Sequence, residues 1–363
     1  MVVMPNKLKR THMTKLSDQK IPASPSILII LMGSLGDVAR GLCLVSHIKT
    51  NLPQSCVTWL VEPKWAQLVR CHSQIDKVIV FQRAWRISAL WHLYKDLNRE
   101  HFDITLDLQR VLKSGFFSLL SGAGRRIGFH RRNAKEFNWI FNNEHIGYHS
   151  DALTKIRHYL KFTEHLGLPE PDTLEFGLSS LNAIEASPRV VADIKQPFVA
   201  VVLGASWESK DWSFEGYLGL IRHILSALKL QVVLLGDGSR KALAQGLSQS
   251  VNLPGLIDLA GKTSLLELTA VLKKAAAGIG PDSGPGHLAA AVGTPFVSLF
   301  GPTSPERTAP FGYEDLVVTS SLDCAPCYQK RCTDHQNQCM QSIESSHVAE
   351  KLSKALTLKL HIH

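Results

Sequence analysis

The sequence GPDSGPGHLAAA at residues 280–291 decides the fold. The apolar segment 275–279 in front of it predicts a strand, and the run 288–291 behind it predicts a helix. Glycines let backbone amides approach a ligand closely, and a helix N-terminus carries unpaired N–H groups and the positive end of the helix dipole. Such a loop suits a phosphate or a diphosphate, although a strand-to-helix turn that binds nothing has the same composition.

Other polar residues of the same half follow predicted strands. A carboxylate at Asp282 would repel phosphate, so its better role is to accept hydrogen bonds from sugar hydroxyls. Lys210, in the loop 204–212, could neutralise a diphosphate leaving group or be an ordinary surface lysine. Gly236 and Asp237 follow the strand 232–235 and could hold ribose or adenine edges, or merely form a turn.

Strands and helices alternate on both sides of this loop. Short apolar strands are predicted at 27–31, 57–61, 78–81 and 104–108, and again at 198–203, 232–235, 256–259, 277–280 and 296–300. Alternation with helices predicts an α/β protein in which two doubly wound parallel sheets face each other across a cleft. The expected units are a basic tail at 1–25, domains at 26–185 and 186–345, and a helix at 346–363 that could pack back on the first domain.

The first predicted strand also ends in a candidate site, the sequence GSLGD at residues 33–37. An aspartate near a helix start is a favourable capping or first-turn residue. The carboxylate of Asp37 could equally take a proton from an acceptor hydroxyl. The loop lacks the third glycine of a dinucleotide-binding motif, which argues against a nicotinamide cofactor.

Charge is distributed unevenly along the 363 residues. The net charge is +9, and residues 1–180 contain 24 Lys and Arg against 15 Asp and Glu, whereas residues 181–363 contain 16 of each. A basic first half attracts anionic lipid, a phosphorylated glycan or nucleic acid, but it can also be a solvated surface. No apolar run is as long as a membrane span and residues 1–20 lack the apolar core of a signal peptide, so we expect a cytoplasmic protein.

Four of the seven cysteines are clustered: Cys324, Cys327, Cys332 and Cys339. Their spacing is compatible with a zinc site, a thiol-rich loop or a labile disulfide pair. The sequence contains no Asp-x-Asp of the metal-chelating kind. A sugar-nucleotide enzyme of this sequence would therefore handle the diphosphate with Lys210 and backbone amides, without a metal ion.

Taken together, these motifs resemble glycosyltransferase family 9, the heptosyltransferases of the lipopolysaccharide core, and the cysteine cluster resembles a subset close to the second heptosyltransferase. The matching segments are 27–37, 59–62, 106–109 with 113–114, 204–212, 282–295 and 299–303. The resemblance implies a GT-B fold, an acceptor-binding first half, an ADP-heptose-binding second half and a metal-independent, inverting transfer. It also implies an anionic lipid A–Kdo acceptor, peripheral contact with the cytoplasmic face of the inner membrane, and no cofactor.

The resemblance assigns roles to residues by position. Asp37 becomes the general base and Lys210 the residue that stabilises the departing ADP. The donor residues are Asp282, Ser283, Gly284, His287, Gly236, Asp237, Thr263, Ser264 and Leu265. The acceptor residues are Ser34, Gly36, Gln109, Lys113, Arg83, Arg86, Arg125, Arg126 and Arg131.

The sequence departs from the family pattern at Arg110, where a glycine is usual, and at Ser213, where a proline is usual. The first departure bears on acceptor identity more than on the type of reaction. The alternatives are another nucleotide sugar or acceptor, a sugar-nucleotide epimerase on a similar fold, and a non-catalytic member. Nucleic-acid binding is disfavoured, because the basic segment lacks interleaved stacking aromatics.

Overall fold

A computed structural model describes residues 21–82, 87–178, 194 and 197–360. Its first half contains a parallel sheet of six described strands: β1 (Ser26–Ile30), β2 (Cys56–Val61), β3 (Lys77–Val80), β4 (Ile104–Asp107), β5 (Arg125–Gly128) and β6 (Glu144–His145). Their order is β3-β2-β1-β4-β5-β6. From β1 the strand order runs through β2 and β3 to one side, and from β4 it runs through β5 and β6 to the other side. The order therefore reverses between β1 and β4, and the carboxyl ends of these two strands flank the crevice where doubly wound sheets bind ligands.

Five described helices belong to this half: α1 (Leu35–Asn51), α2 (Pro63–Arg70), α3 (Ile87–Asn98), α4 (Leu112–Leu120) and α5 (Lys155–His165). β1 is apolar on both faces because both faces are covered. Ile27 and Ile29 pack in the cluster that contains α1 and α5, whereas Leu28 and Ile30 pack with residues of α3 and α4. A short 3-10 turn at Asn138–Phe141 packs against α4.

The second half repeats this plan. Its described strands are β7 (Phe198–Val202), β8 (Gln231–Leu235), β9 (Leu256–Asp258), β10 (Ala277–Pro281), β11 (Phe296–Phe300) and β12 (Val317–Thr319), in the parallel order β12-β11-β10-β7-β8-β9. Its described helices are α6 (Phe214–Ser226), α7 (Lys241–Val251), α8 (Leu265–Lys274), α9 (Gly284–Ala291), α10 (Pro305–Thr308), α11 (Gln338–Gln341) and α12 (Ser345–Leu360). The crevice of this sheet lies between β7 and β10, at the loop 280–286.

The α/β class and the two doubly wound sheets predicted from the sequence are confirmed. The sequence did not predict β5, β6, β12, α5, α7 or the short helices α10 and α11. One expectation is wrong: α12 packs on the second sheet through Val348, Leu352 and Ala355, and not on the first domain. These three residues share one helix face, and that face meets the core of the second half.

The tail at 1–20 and most of the linker near the predicted boundary at 185–186 lie outside the described residues. Among the helices of the described part, none is long and apolar enough to cross a membrane.

Candidate active site

The starts of two helices, one from each half, meet at the cleft. α1 begins at Leu35 and α9 begins at Gly284, each directly after the polar loop of its strand. A Cβ atom at Gly36 would lie 2.8 Å from Cδ2 of His287, and a Cβ atom at Gly284 would lie 2.8 Å from Cβ of Leu35. Glycine is required at both positions because a side chain would separate the two helix N-termini.

Asp37 is the best-connected carboxylate of this region. It lies in the first turn of α1, where it forms a capping box with Ser34. One of its oxygens, Oδ1, accepts hydrogen bonds from Arg40 at 2.8 Å, from the Lys155 amine at 2.9 Å and from the Tyr159 hydroxyl at 3.0 Å. The capping interpretation is therefore correct, and the carboxylate carries three further partners that capping does not need.

These partners set the protonation state of Asp37. Burial alone would raise the pKa of the carboxyl, but the charges and hydrogen bonds of Lys155 and Arg40 outweigh burial and hold the pKa far below its usual range. Burial in turn lowers the pKa of the Lys155 amine, against the attraction of Asp37. The surroundings of Asp37 thus favour its ionised form.

Arg40 connects the two halves. Its guanidinium also contacts Nε2 of His287 at 2.5 Å. Burial, and then the positive charge of Arg40, lowers the pKa of His287 well below its usual range, so the imidazole is neutral. Nε2 then accepts from Arg40, which assigns the proton to Nδ1. In the described part of the chain Nδ1 has no hydrogen-bond partner.

A second buried carboxylate, Asp282, follows β10 and pairs with Lys210 at 2.6 Å. The Lys210 amine also donates to the backbone oxygen of Asp282 at 3.1 Å. Hydroxyl groups of Thr303 and Thr308 donate to the same carboxylate at 2.8 and 3.3 Å. Lys210 is therefore anchored beside the N-terminus of α9, where an anionic ligand would meet it.

Between the two halves lies a cleft of about 800 Å³. Lys210 lines this cleft together with all nine residues predicted to bind the donor: Gly236, Asp237, Thr263, Ser264, Leu265, Asp282, Ser283, Gly284 and His287. Ser34 and Gly36 of the predicted acceptor set line it from the other side. Asp37 itself opens on a smaller cavity of about 50 Å³, and Lys155 lines both cavities.

The cleft contains more positive than negative side chains. Arg40, Lys64, Lys135, Lys155, Lys210, Arg240 and Arg307 line it, against Asp237 and Asp282. Arg240 pairs with Asp211 at 2.6 Å and donates to the backbone oxygen of Ala205. Such a balance favours an anionic ligand such as a nucleoside diphosphate.

The structure also brings in residues that the sequence analysis missed. Lys155 and Tyr159 reach Asp37 from α5, a helix that was not predicted. An apolar face recurs along α5 at Ile156, Tyr159 and Leu160, and this period was the available signal. Nothing in the sequence indicates which distant strand end such a helix will meet.

The predicted acceptor residues differ in their location and in their partners. Gln109 accepts from the backbone N–H of Met32 at 2.7 Å and donates to the oxygen of Gly33 at 2.8 Å, so it supports the loop that carries Asp37. Lys113 pairs with Glu62 at 3.3 Å. Arg131 is exposed on the loop after β5. Arg83 and Arg86 lie outside the described residues.

Arg125 and Arg126 require a correction. They lie at the amino end of β5, whereas Asp37 lies beyond the carboxyl ends of the strands in the same parallel sheet. Arg125 makes paired hydrogen bonds of 2.7 and 2.8 Å to Glu144, and Arg126 donates to the backbone oxygens of Ala123 and Phe141. Their guanidinium groups are used within the protein, so the structure does not bring them into the cleft.

The cysteine cluster offers no metal site in this structure. Within the described ranges, which include all four cysteines, no group of three or more His, Cys, Asp or Glu side chains could hold a metal ion. All four are free thiols, and only Cys339 is buried. Burial and the neighbouring thiols raise the pKa of Cys339. The zinc alternative therefore gains no support.

The model of glycosyltransferase family 9 (heptosyltransferase) matches residues 90–337, more than half of the chain. The chain belongs to this family. A lipopolysaccharide core heptosyltransferase of Haemophilus influenzae, OpsX, is 28% identical over 302 residues, which cover 82% of this chain and 85% of the relative. Lipopolysaccharide heptosyltransferase 1 of Pseudomonas aeruginosa is 28% identical over 324 residues, 85% and 87% of the two chains.

Solved structures show the same fold. Heptosyltransferase II of Escherichia coli aligns with a TM-score of 0.74 at 20% identity, covering 92% of this chain and 99% of its own. The two-domain GT-B architecture expected from the sequence is thus confirmed. Family membership also makes the chain a glycosyltransferase and leaves the epimerase alternative without support.

Proposed function

We propose that this glycosyltransferase moves heptose from ADP-heptose to the Kdo or heptose inner core of lipopolysaccharide, in a metal-independent transfer that inverts the anomeric centre. The observation that carries the proposal is the pairing of two sites, one in the cleft and one in the small cavity that shares Lys155 with the cleft. One is a carboxylate on the first half that is hydrogen-bonded to two cations, and the other is an anchored lysine at a helix N-terminus on the second. The relatives named above are lipopolysaccharide heptosyltransferases, which supports the same substrates here.

The donor belongs on the second half. At α9 and its N-cap, two buried polar atoms have no partner in the described part of the chain: Oγ of Ser283 and Nδ1 of His287. Buried polar groups are nearly always hydrogen-bonded, so both are suited to the oxygens of a bound diphosphate. Thr263, Ser264 and Leu265 would pack the adenine, and Asp237 would bind the ribose. Asp282 would accept hydrogen bonds from heptose hydroxyls while it holds Lys210.

The acceptor belongs on the first half, beside Asp37. Its hydroxyl would take the place of the Lys155 amine on Oδ1, since Lys155 lines both the cleft and the cavity of Asp37. Asp37 then receives the proton as the acceptor oxygen forms its bond to the anomeric carbon. The bond from that carbon to the diphosphate breaks on the opposite side, which inverts the centre.

The leaving ADP gains negative charge as this bond breaks. Lys210 and the N-terminal amides of α9 would stabilise that charge, in the role that a divalent ion has in other glycosyltransferases. Arg240, on the same wall, would bind a second diphosphate oxygen. We therefore expect the transfer to proceed without an added metal ion.

The acceptor is a lipid, so the enzyme would work at the cytoplasmic face of the inner membrane, in peripheral contact with it. A lipid A–Kdo acceptor carries phosphates and carboxylates. The cleft cations Lys135 and Arg307, for which the described structure gives no carboxylate partner, are suited to such groups.

The proposal is tested by ADP release from ADP-heptose, with and without de-O-acylated lipid A–Kdo acceptors of increasing core length. Acceptor-dependent release, unchanged by a chelator, is the expected result, and the shortest active acceptor identifies the transfer step. Donor binding without release on any acceptor would contradict the proposed acceptor. Failure to bind ADP-heptose would contradict the proposed donor.

A further inference from the structure

Exposed apolar side chains are concentrated on one side of the first half. The described chain has twelve large apolar residues that are substantially exposed, and eight of them lie between residues 91 and 148. They are Trp91, Tyr94, Leu112, Leu119, Phe137, Trp139, Ile140 and Tyr148. Monomeric soluble proteins rarely leave such a concentration uncovered, so this side calls for a partner.

All of these residues except Tyr148, whose ring lies beside His130, belong to one layer. Residues of α3 and α4 pack together on the face of the first sheet that carries Leu28 and Ile30. The 3-10 turn Asn138–Phe141 lies beside α4, where Phe116 and Phe141 place their ring centroids 6.3 Å apart. The opposite face of the sheet is covered by α1, which packs against α9 of the second half. The apolar layer therefore faces away from the second half.

The part of the layer around the start of α4 and the 3-10 turn forms a rim, which consists of Leu112, Phe137, Trp139 and Ile140. Phe137 is 71% exposed and Ile140 is 55% exposed. Glu136 and Phe137 both have positive φ, 51° and 58°, a conformation that disfavours side chains other than glycine. The backbone of this turn is therefore strained, and Phe137 within it is exposed to solvent. Backbone strain of this kind is concentrated at functional sites.

The rim adjoins the cleft. Glu136 accepts a hydrogen bond from the backbone N–H of Leu112, which joins the two ends of the rim. Lys135, two residues before Phe137, lines the cleft, and its N–H donates to the backbone oxygen of Arg110. A surface that contacts the rim is therefore next to the mouth of the proposed acceptor site.

The positive charge beside the rim indicates which kind of partner would bind there. Arg131, Arg132 and Lys135 are exposed directly before the rim, and the described structure gives none of them a carboxylate partner. Arg132 lies over the ring of Tyr148, and Lys95 lies 3.5 Å from the ring centre of Trp91. Exposed aromatic and aliphatic side chains with cations beside them are typical of proteins that rest in the headgroup region of an anionic membrane.

We propose that the rim, with the cations before it, inserts into the interface of an anionic lipid bilayer and turns the cleft toward a membrane-bound acceptor. The part of this inference that concerns catalysis rests on the proposed function, because the membrane contact would bring a lipid acceptor to Asp37. Its first test needs neither donor nor acceptor.

The test is flotation of the full chain with vesicles of phosphatidylethanolamine and phosphatidylglycerol, against neutral vesicles of phosphatidylcholine. We expect binding to the anionic vesicles, weakened by salt. The double variant F137S/I140S should bind at least about tenfold more weakly, because it removes two apolar side chains from the interface. The double variant L253S/L358S, which alters exposed leucines of the second half, should bind as the unaltered chain does.

Activity gives the second test. F137S/I140S should transfer to a de-O-acylated, water-soluble acceptor at the normal rate and lose transfer to an acceptor embedded in vesicles. Equal flotation of F137S/I140S and the unaltered chain would overturn the inference. So would a dimer that F137S/I140S dissociates in the absence of any vesicle binding. Absence of transfer on every acceptor, with flotation as expected, would overturn the proposed function and leave the membrane surface standing.

Discussion

The two halves each place a carboxylate at the start of a helix beside the same cleft, yet they surround it differently. Asp37 is held by two cations and a phenol, from Arg40, Lys155 and Tyr159. Asp282 is held by one cation and two threonine hydroxyls. An excess of positive charge keeps the first carboxylate ionised, whereas the second positions a single lysine. The same strand-to-helix design therefore gives the two carboxylates different surroundings, which fit the proposed proton acceptor in one half and the proposed anion site in the other.

Removing the first carboxylate should have the largest effect. Asp37→Asn should lower transfer by about 10²–10⁴-fold, the usual contribution of a general base. The affinity for ADP-heptose should stay nearly unchanged, because the donor residues lie on the second half. Turnover with saturating acceptor and donor binding by calorimetry measure the two quantities.

The matched control is Asp76→Asn, which removes a carboxylate paired with Lys49 elsewhere in the first half. It should leave turnover unchanged. If Asp37→Asn also retained turnover, the proton would have to go elsewhere, and the contrast between the two carboxylates would lose its catalytic meaning.

The second half is tested through its lysine. Lys210→Ala should lower kcat by about 10²–10³-fold, as the loss of one oxyanion-stabilising donor does. Asp282 keeps its threonine partners in this variant, so the fold of the loop should persist. Lys354→Ala, which removes an exposed lysine paired with Glu350, is the control. Unchanged turnover of Lys210→Ala would exclude it from stabilising the leaving group.

The pH dependence distinguishes the two surroundings further. Because the pKa of Asp37 is lowered, its ionisation stabilises the folded chain above the unfolded-state value of about 3.9, and this contribution is lost as the pH falls through the folded value. The carboxylate is therefore ionised at every pH at which the enzyme would be assayed. In the unaltered chain, kcat/KM should show no acidic limb due to Asp37 above about pH 5.

Lys155→Met removes one of the cations that lower this pKa. The pKa of Asp37 should then rise, and kcat/KM should decline at acidic pH in this variant alone. Lys161→Met alters the same helix at an exposed position paired with Glu164 and should leave the profile unchanged. An identical profile for Lys155→Met would show that Arg40 alone sets the ionisation of Asp37.

The sequence predicted the loops of both halves but not the partners of Asp37. Each of the loops that contain Asp37, Lys210 and Asp282 follows a short apolar strand, and glycine with serine or aspartate at a strand end is a local signal, so the sequence alone marked these three residues as candidates. The α/β class follows from the same periodicity. The partners of Asp37 were missed, because Lys155 and Tyr159 come from a helix more than one hundred residues away, and their approach depends on tertiary packing.

The prediction that Arg125 and Arg126 bind the acceptor was based on charge composition, which likewise contains no information about tertiary contacts. Arg125 and Arg126 belong to a basic segment, and a count of charges does not show that Glu144 faces Arg125 across a strand pair. Local patterns thus predicted which loops lie at the cleft and its neighbouring cavity. Contacts between distant segments decide which charges remain available to a ligand.

The junction between the halves gives a smaller effect. Gly36→Ala would place a methyl group against His287 and move the two helix starts apart. We expect a loss of about 1–3 kcal/mol in the free energy of unfolding, the usual cost of overpacking, and a raised KM for donor and acceptor together. Gly147→Ala, where a Cβ atom meets nothing within 4 Å, is the control. A KM change confined to one substrate would mean that the halves act independently.

The smallest expected effect on activity concerns Arg125. Arg125→Gln breaks the paired hydrogen bonds to Glu144 and should lower the free energy of unfolding by about 1–3 kcal/mol, as the loss of hydrogen bonds to a charged group does. The KM for the acceptor should stay unchanged, because the guanidinium lies at the far edge of the sheet. Arg99→Gln, an exposed arginine paired with Asp96, should alter neither quantity. A raised acceptor KM with normal stability would instead restore the binding role that the charge pattern predicted. It would also mean that the acceptor extends past the cleft along the first half.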